Sequence, residues 1–241
     1  MSGVKLRTPS VPITYVKYSV LLRIASVAAL KLALTMNNPT HYRRDLPHIF
    51  PKGRAIFITW RLSGSVPPGV VLAARKAPKA TEGEKFVRID KYLDSGKRGP
   101  KYLKDERIAE DICQTIERGA SSERNEYDLH EYVVMPNHVH MLVTPRAEMH
   151  TIMQGIKGAT ARYANQILGR GGKPFWQQEY YDRFCRNDKE FQKIRGYIAR
   201  NPVKAGLAAR PEDWKWSSAA RRATLTSRPV GNSGMTQPST H

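Results

Sequence analysis

Two short segments of the chain carry residue types that can do chemistry together. His138 and His140 alternate within an apolar run, and a later segment places Tyr197 and Asn201 four residues apart. Side chains alternate between the two faces of a strand, so the imidazoles would point to one side and could share a cation. Residues four apart share one face of a helix, so the phenol and the amide would point together. The combination predicts a divalent ion that assists a tyrosine nucleophile.

The predicted nucleophile needs that assistance because a phenol with a pKa near 10 attacks poorly by itself. A cation on His138 and His140 would polarise a phosphodiester and orient Tyr197 for attack, and the amide oxygen of Asn201 could complete the protein ligands. Each motif alone is weak evidence. Histidine pairs at this spacing are often coincidental, and a helical tyrosine usually packs in a core.

Hydrophobic periodicity predicts the elements that must position these groups. The first predicted elements are a strand at 55–62, one short helix around Phe86, Ile89 and Leu93 within 70–100, and a helix at 102–118. An antiparallel hairpin with strands at 129–135 and 139–143 follows, and then a helix at 148–168. The last elements are an extended segment at 175–184 and a helix that is capped by Asn187 and Glu190 and ends near Pro202 or Gly206. This order predicts an α+β sandwich in which helices pack on a mostly antiparallel sheet.

The chain is strongly basic, with a formal net charge of +19 over 241 residues. Such a surface attracts polyanions, and nucleic acid is favoured over the competing partner, an anionic membrane surface. The apolar run at 20–34 is interrupted by Arg23 and Lys31, so it is too short and too charged to span a bilayer. The two cysteines, Cys113 and Cys185, lack C-x-x-C spacing, which favours buried free thiols in a reducing, cytoplasmic setting.

Five short pieces of the sequence, in order, resemble the REP-associated tyrosine transposases, an IS200-like branch of the HUH single-strand nuclease superfamily. They are Val134–His140, Phe175–Arg183, Tyr197–Ile198, Asn201–Leu207 and Trp214–Ser218. The resemblance extends from about Arg54 to Arg221 and implies a ferredoxin-like sandwich with a central antiparallel sheet. It implies that His138 and His140 bind Mg²⁺ or Mn²⁺, that Tyr197 is the nucleophile, and that Asn201 is a further metal ligand.

The activity implied by this resemblance is transesterification of single-stranded DNA. Tyr197 would cut hairpins of palindromic repeats through a 5′-phosphotyrosine and rejoin strands by the reverse reaction, without a nucleotide cofactor. The adjacent Tyr180 and Tyr181 are rival nucleophiles. The resemblance implies a bacterial, nucleoid-associated protein that is a monomer or a homodimer. The alternative function is a catalytically inert regulator that binds hairpin DNA or RNA.

The chain divides, on these grounds, into an N-terminal extension at 1–40 that is disordered or dispensable, an HUH transposase domain at 41–221, and a disordered tail at 222–241 rich in Ser, Thr, Pro and Gly. A basic start without acidic residues mimics a signal or transit peptide, but Met36 follows directly. We therefore expect residues 1–35 to be dispensable.

Basic residues are concentrated around the predicted nucleophile. From Lys157 to Lys204 there are eleven Lys or Arg and four Asp or Glu. Cationic side chains here would contact phosphates, and aromatic rings could stack on unpaired bases. The predicted nucleic-acid contacts are Arg162, Lys173, Trp176, Arg183, Arg186, Lys193, Arg200 and Lys204, with Arg170, Arg195 and Tyr180 as further candidates.

Overall fold

The computed structural model describes residues 40–43, 47–50, 52–76, 80–96 and 98–226. The strands in this part of the chain are β1 Thr40–Arg43, β2 Pro47–Phe50, β3 Ile56–Arg61, β4 Tyr127–Val134, β5 His138–Pro145 and β6 Tyr181–Phe184. The helices in it are α1 Pro68–Arg75, α2 Glu82–Ser95, α3 Glu106–Gly119, α4 Met149–Ile167, α5 Asp188–Lys204 and α6 Ser218–Thr226.

Four antiparallel strands form the central sheet in the order β4-β5-β3-β6. The chain path β3-α3-β4-β5-α4-β6 is the split βαβ arrangement of a ferredoxin-like fold. This confirms the predicted α+β sandwich with helices on an antiparallel sheet. β1 and β2 pair separately as a two-stranded hairpin.

The two faces of the sheet bury different residues because side chains alternate along each strand. Ile58 and Trp60 of β3 belong to the core that α3 and α4 cover. Phe57 of β3 and Leu142 of β5 belong to a second core on the opposite face, which Ile198 of α5 completes. His138 and His140 have the same parity as Leu142, so they lie on the α5 face.

The structure differs from the predicted elements in four places, the first of which is the β1–β2 hairpin, where no element was predicted. α1 was not predicted, because Pro67 and Pro68 suggested a break; a proline is well tolerated in the first turn of a helix. Only Tyr181–Phe184 of the extended segment pairs as a strand. α6 extends through Thr226 into the stretch predicted to be a disordered tail.

The rest of the predicted extension and tail, 1–39 and 227–241, lies outside the described residues. Cys113 and Cys185 are buried free thiols, as the sequence predicts. No helix within the described ranges is long and apolar enough to cross a membrane.

Candidate metal and nucleophile site

The histidine pair lies at the start of β5. Both imidazoles are fully buried, and their Nε2 atoms are 3.0 Å apart. Val139 between them points into the opposite core. The strand alternation therefore brings the two rings together as the sequence predicts.

Two neighbours orient the imidazole rings. Asn137 Nδ2 donates to the Leu93 carbonyl at 3.1 Å, which fixes the amide, so Asn137 Oδ1 accepts from His138 Nδ1 at 2.6 Å. Thr59 Oγ1 lies 2.7 Å from His140 Nδ1. With Nδ1 engaged in each ring, the two Nε2 atoms are left to face the centre of the cluster. Neighbours that hold the second ring nitrogen in this way are typical of histidines that bind metals.

Helix α5 brings Tyr197 and Asn201 to the same place. The helix begins at Asn187, whose side chain accepts from the Glu190 amide. Ile198 is fully buried in the second core. Asn201 Nδ2 lies 3.3 Å from His140 Nε2, and the rings of Tyr197 and His140 are 5.6 Å apart between centroids. The four residues that the sequence singles out therefore meet.

A carboxylate that the sequence analysis missed completes the cluster. Asp90 of α2 is 1% exposed, and its Oδ1 lies 3.3 Å from His140 Nε2 and 3.9 Å from His138 Nε2. Its Oδ2 accepts a hydrogen bond from the Tyr197 hydroxyl. One turn later, Asp94 Oδ1 lies 3.8 Å from His138 Nε2 while Oδ2 accepts from Lys204 Nζ at 2.7 Å.

A sequence signal for Asp90 does exist. Phe86, Ile89 and Leu93 form the apolar stripe of α2, and Asp90 falls inside that stripe. Charged residues are almost never fully buried unless they have partners. A charge in the buried stripe of a predicted helix therefore marks a residue that faces another polar group.

The group Asp90, His138 and His140 can hold a metal ion, because its three ligand atoms converge within 4.8 Å of one another. Ligands at right angles on an octahedral ion with bonds of about 2.1 Å lie roughly 3 Å apart. The separations of 3.0 and 3.3 Å fit this distance, and the third, 3.9 Å between Asp90 Oδ1 and His138 Nε2, is wider. Three buried oxygens of this site have no hydrogen-bond partner among the described residues. They are Asp90 Oδ1, Asp94 Oδ1 and Asn201 Oδ1. Since buried polar atoms are normally satisfied, these oxygens fit a cation.

Burial controls the protonation of the histidines. It lowers the pKa of His138 to about 3, with the neighbouring His140 adding to the effect. Burial and the charge of Lys204 likewise lower the pKa of His140 to about 3. Both rings are therefore neutral near neutral pH, which is the form that binds metals.

The pKa values of the acidic groups at the site shift in the opposite direction. Burial raises the pKa of Asp90, and it raises the pKa of Asp94 to about 6, with the charge of Asp90 contributing. Burial, together with the carboxylates of Asp90 and Asp94, raises the pKa of Tyr197. The phenol is therefore protonated at neutral pH and needs a proton acceptor before it can attack.

The predicted phosphate contacts fall into two groups. The exposed members are Arg162, Lys173, Lys193 and Arg200. The paired members are Arg183 and Arg186, which both contact Glu190, and Lys204, which contacts Asp94. Lys193, Arg200 and Lys204 lie on the same side of α5 as Tyr197, because they follow the three- and four-residue spacing of one helix face.

The prediction that Trp176 stacks on bases is wrong. Its ring is 7% exposed and packs against Trp60 and Phe175, and its Nε1 donates to Thr160 Oγ1 at 3.0 Å. Tyr180 is also buried, and Tyr181 stacks on Phe86 with 4.1 Å between centroids. An aromatic cluster in sequence does not by itself distinguish a core from a stacking surface.

Comparison with known proteins identifies the segment that carries the site. The family model described as "Transposase IS200 like" matches residues 96–201. This segment, which is less than half of the chain, is similar to the IS200-like transposases. It contains the histidine pair, Tyr197 and Asn201, whereas Asp90 and Asp94 precede it.

Two individual proteins are also similar to this chain. A REP-associated tyrosine transposase of Escherichia coli (strain K12) is 26% identical over 112 residues, which are 45% of this chain and 64% of that protein. The chain thus spans less than two thirds of that relative's length. A solved structure of a REP-associated tyrosine transposase bound to a REP hairpin is 19% identical, with a TM-score of 0.48, and the likeness covers 83% of this chain and 95% of that one.

Proposed function

We propose that this chain is a metal-dependent transesterase that cuts and rejoins single-stranded DNA at hairpins of palindromic repeats. The observation that carries the proposal is the convergence of a phenol, two neutral imidazoles and a carboxylate in one buried cluster within an IS200-like fold. A structural core has no need for so many polar groups with unsatisfied oxygens.

The residues that would hold Mg²⁺ or Mn²⁺ are His138, His140 and Asp90. Asn201 is a further ligand in this proposal, because a half-turn of its amide exchanges Nδ2 and Oδ1 and aims the unpartnered oxygen at His140. When bound, the ion would act as a Lewis acid on the scissile phosphodiester. Thr59 and Asn137 keep the imidazoles oriented for this role.

Tyr197 supplies the attacking atom. Its Oη bonds to the phosphorus, the bond from phosphorus to the 3′ oxygen breaks, and a 5′-phosphotyrosine and a 3′-hydroxyl result. The reverse reaction joins strands without ATP, since the phosphotyrosine retains the energy of the bond. Ring packing against Phe57 and His140 limits the directions in which the phenol can point.

The basic side of α5 is suited to present the strand to this nucleophile. Lys193 and Arg200 are exposed on either side of Tyr197 along the helix. Phosphate contacts of this kind position a nucleic acid without reading its sequence. Arg162 and Lys173 would extend the contact beyond α5.

The test is capture of a covalent product on synthetic single-stranded hairpins taken from palindromic repeats beside the gene. The label belongs on the 3′ end, because the phosphotyrosine retains that fragment. With Mg²⁺ or Mn²⁺ we expect a labelled protein that Tyr197→Phe abolishes and the control Tyr181→Phe retains. Labelling that survives in Tyr197→Phe refutes the role of Tyr197. Tight metal-independent binding without any adduct would instead support an inert regulator.

A further inference from the structure

Asp90 contacts the nucleophile and the histidine pair with different oxygens. Oδ2 accepts the hydrogen bond of the Tyr197 hydroxyl, while Oδ1 lies 3.3 Å from His140 Nε2. The side chain is 1% exposed, and within the described ranges no Lys or Arg forms an ion pair with it. One oxygen of the carboxylate is therefore placed to hold the ion with the histidines, while the other holds the hydroxyl that would attack.

Helix α2 is built to keep this carboxylate in place. Thr81 and Glu84 form a capping box at its N-terminus, and Gly96 ends it in a left-handed conformation. The Leu93 carbonyl accepts from Asn137 beside the histidines, and the Phe86 ring packs edge-on against Phe57 at 5.5 Å. The helix is thus attached both to the β4–β5 turn and to β3.

Glu131 of β4 provides the contrast between a structural buried acid and a functional one. It is 1% exposed, and Arg195, Arg222 and Ser218 donate hydrogen bonds to its two oxygens, as a structural carboxylate requires. Asp90 instead accepts from a phenol, and its other oxygen has no hydrogen-bond partner among the described residues. A buried carboxylate that accepts a proton-bearing hydroxyl from the proposed nucleophile has the geometry of a general base.

We propose that Asp90 is a catalytic residue that holds the Tyr197 hydroxyl beside the histidine pair and takes its proton during attack. As the bond from Tyr197 Oη to phosphorus forms and the bond to the 3′ oxygen breaks, the proton moves to Asp90 Oδ2. It then passes to the leaving 3′ oxygen, so a 3′-hydroxyl departs and the carboxylate is restored. The inference rests on the proposed function, and it adds a residue that precedes the matched segment 96–201.

The experiment compares Asp90→Asn with the matched variant Glu131→Gln, which changes an equally buried carboxylate that lies outside the histidine cluster. Binding of the hairpin is measured by fluorescence anisotropy, binding of Mn²⁺ by calorimetry, and adduct formation at metal concentrations that saturate each variant. Each protein is also made with 3,5-difluorotyrosine at position 197, a more acidic phenol that depends less on a base.

Loss of a general base slows a reaction by about 10²–10⁴-fold. We expect a loss in this range for Asp90→Asn with hairpin binding retained, a much smaller loss for Glu131→Gln, and partial recovery of Asp90→Asn by the fluorinated phenol. Equal rates for Asp90→Asn and the unmodified protein, or a loss that the fluorinated phenol does not recover, would overturn the inference. The proposed function fails separately, when the unmodified protein forms no adduct through Tyr197.

Discussion

Two buried carboxylates lie on the α5 side of the same sheet, and their surroundings differ. Glu131 of β4 is 1% exposed and accepts from Ser218, from Arg222 Nη2 at 3.0 and 2.9 Å, and from Arg195 Nε at 3.3 Å. Asp90 is equally buried, but its Oδ1 has no hydrogen-bond partner within the described residues. Both of Glu131's oxygens are satisfied.

The difference separates an acid that stabilises the fold from one that is placed for a ligand. A fully satisfied polar network ties elements together, and Glu131 joins β4 to α5 and α6 in this way. A partly satisfied network weakens the fold unless a ligand completes it. Variants in the two clusters should therefore have opposite consequences for stability and for metal binding.

The largest effect on the response to metal is expected from His140→Ala. Lewis-acid stabilisation is worth several kcal/mol, so loss of a ligand should slow adduct formation by roughly a thousandfold, or about 4 kcal/mol. The thermal shift that Mn²⁺ produces should disappear with it. His130→Ala is the matched control, because His130 lies in β4 and bonds to Thr144 instead. A His140→Ala protein that still shows the full Mn²⁺ shift would contradict the assignment of the cluster.

A smaller effect, on the stability of the fold, is expected from Glu131→Ala. The change removes hydrogen bonds from two arginines and a serine. A hydrogen bond to a charged group contributes about 1.5–3 kcal/mol to stability. Because the arginines can turn to solvent, we expect a loss of about 2 kcal/mol in the free energy of unfolding, measured in urea. The Mn²⁺ shift should remain. Glu106→Gln, which breaks an exposed pair with Lys215, serves as the control.

The sequence predicts well which residues share a face within one strand or one helix of the site. The positions of His138 and His140 follow from alternation within one strand, and the alignment of Tyr197 with Asn201 follows from the spacing of one helix. These are local regularities that any strand or helix would impose. The ferredoxin-like order of elements follows in the same way from the succession of periodic segments.

The place of Asp90 in the site and the burial of Trp176 depend instead on contacts between distant parts of the chain. Asp90 reaches His140 only because α2 packs against β3 and against the β4–β5 turn, and the periodicity that predicts this helix does not specify those contacts. The burial of Trp176 depends in the same way on Thr160, which offers its indole a hydrogen-bond acceptor. Local patterns can indicate that a residue such as Asp90 has a polar partner, but they do not identify that partner.

In metal-free protein, Asp90→Asn should raise the free energy of unfolding, whereas Glu131→Ala should lower it. An amide keeps the size of the side chain but removes a buried charge that no Lys or Arg of the described residues pairs with directly, so we expect unfolding to cost roughly 1 kcal/mol more. Chemical denaturation in a chelating buffer measures this difference. Added Mn²⁺ should then reverse the order, because the unmodified protein gains more from the ion. A destabilised Asp90→Asn protein in the chelator would show that Asp90 resembles Glu131 after all.

The smallest effect on stability and on metal binding is expected from substitutions outside both clusters. Lys193→Ala and Arg200→Ala remove exposed charges beside Tyr197, so hairpin binding should weaken while the unfolding free energy and the Mn²⁺ shift remain. Each phosphate contact that is lost should reduce the slope of log affinity against log salt by about 1 or slightly less. Arg124→Ala, on a surface residue that pairs with Glu126, should leave the slope unchanged. An equal change in all three slopes would mean that the hairpin responds to net charge alone, and the basic side of α5 would then have no special part in presenting the strand.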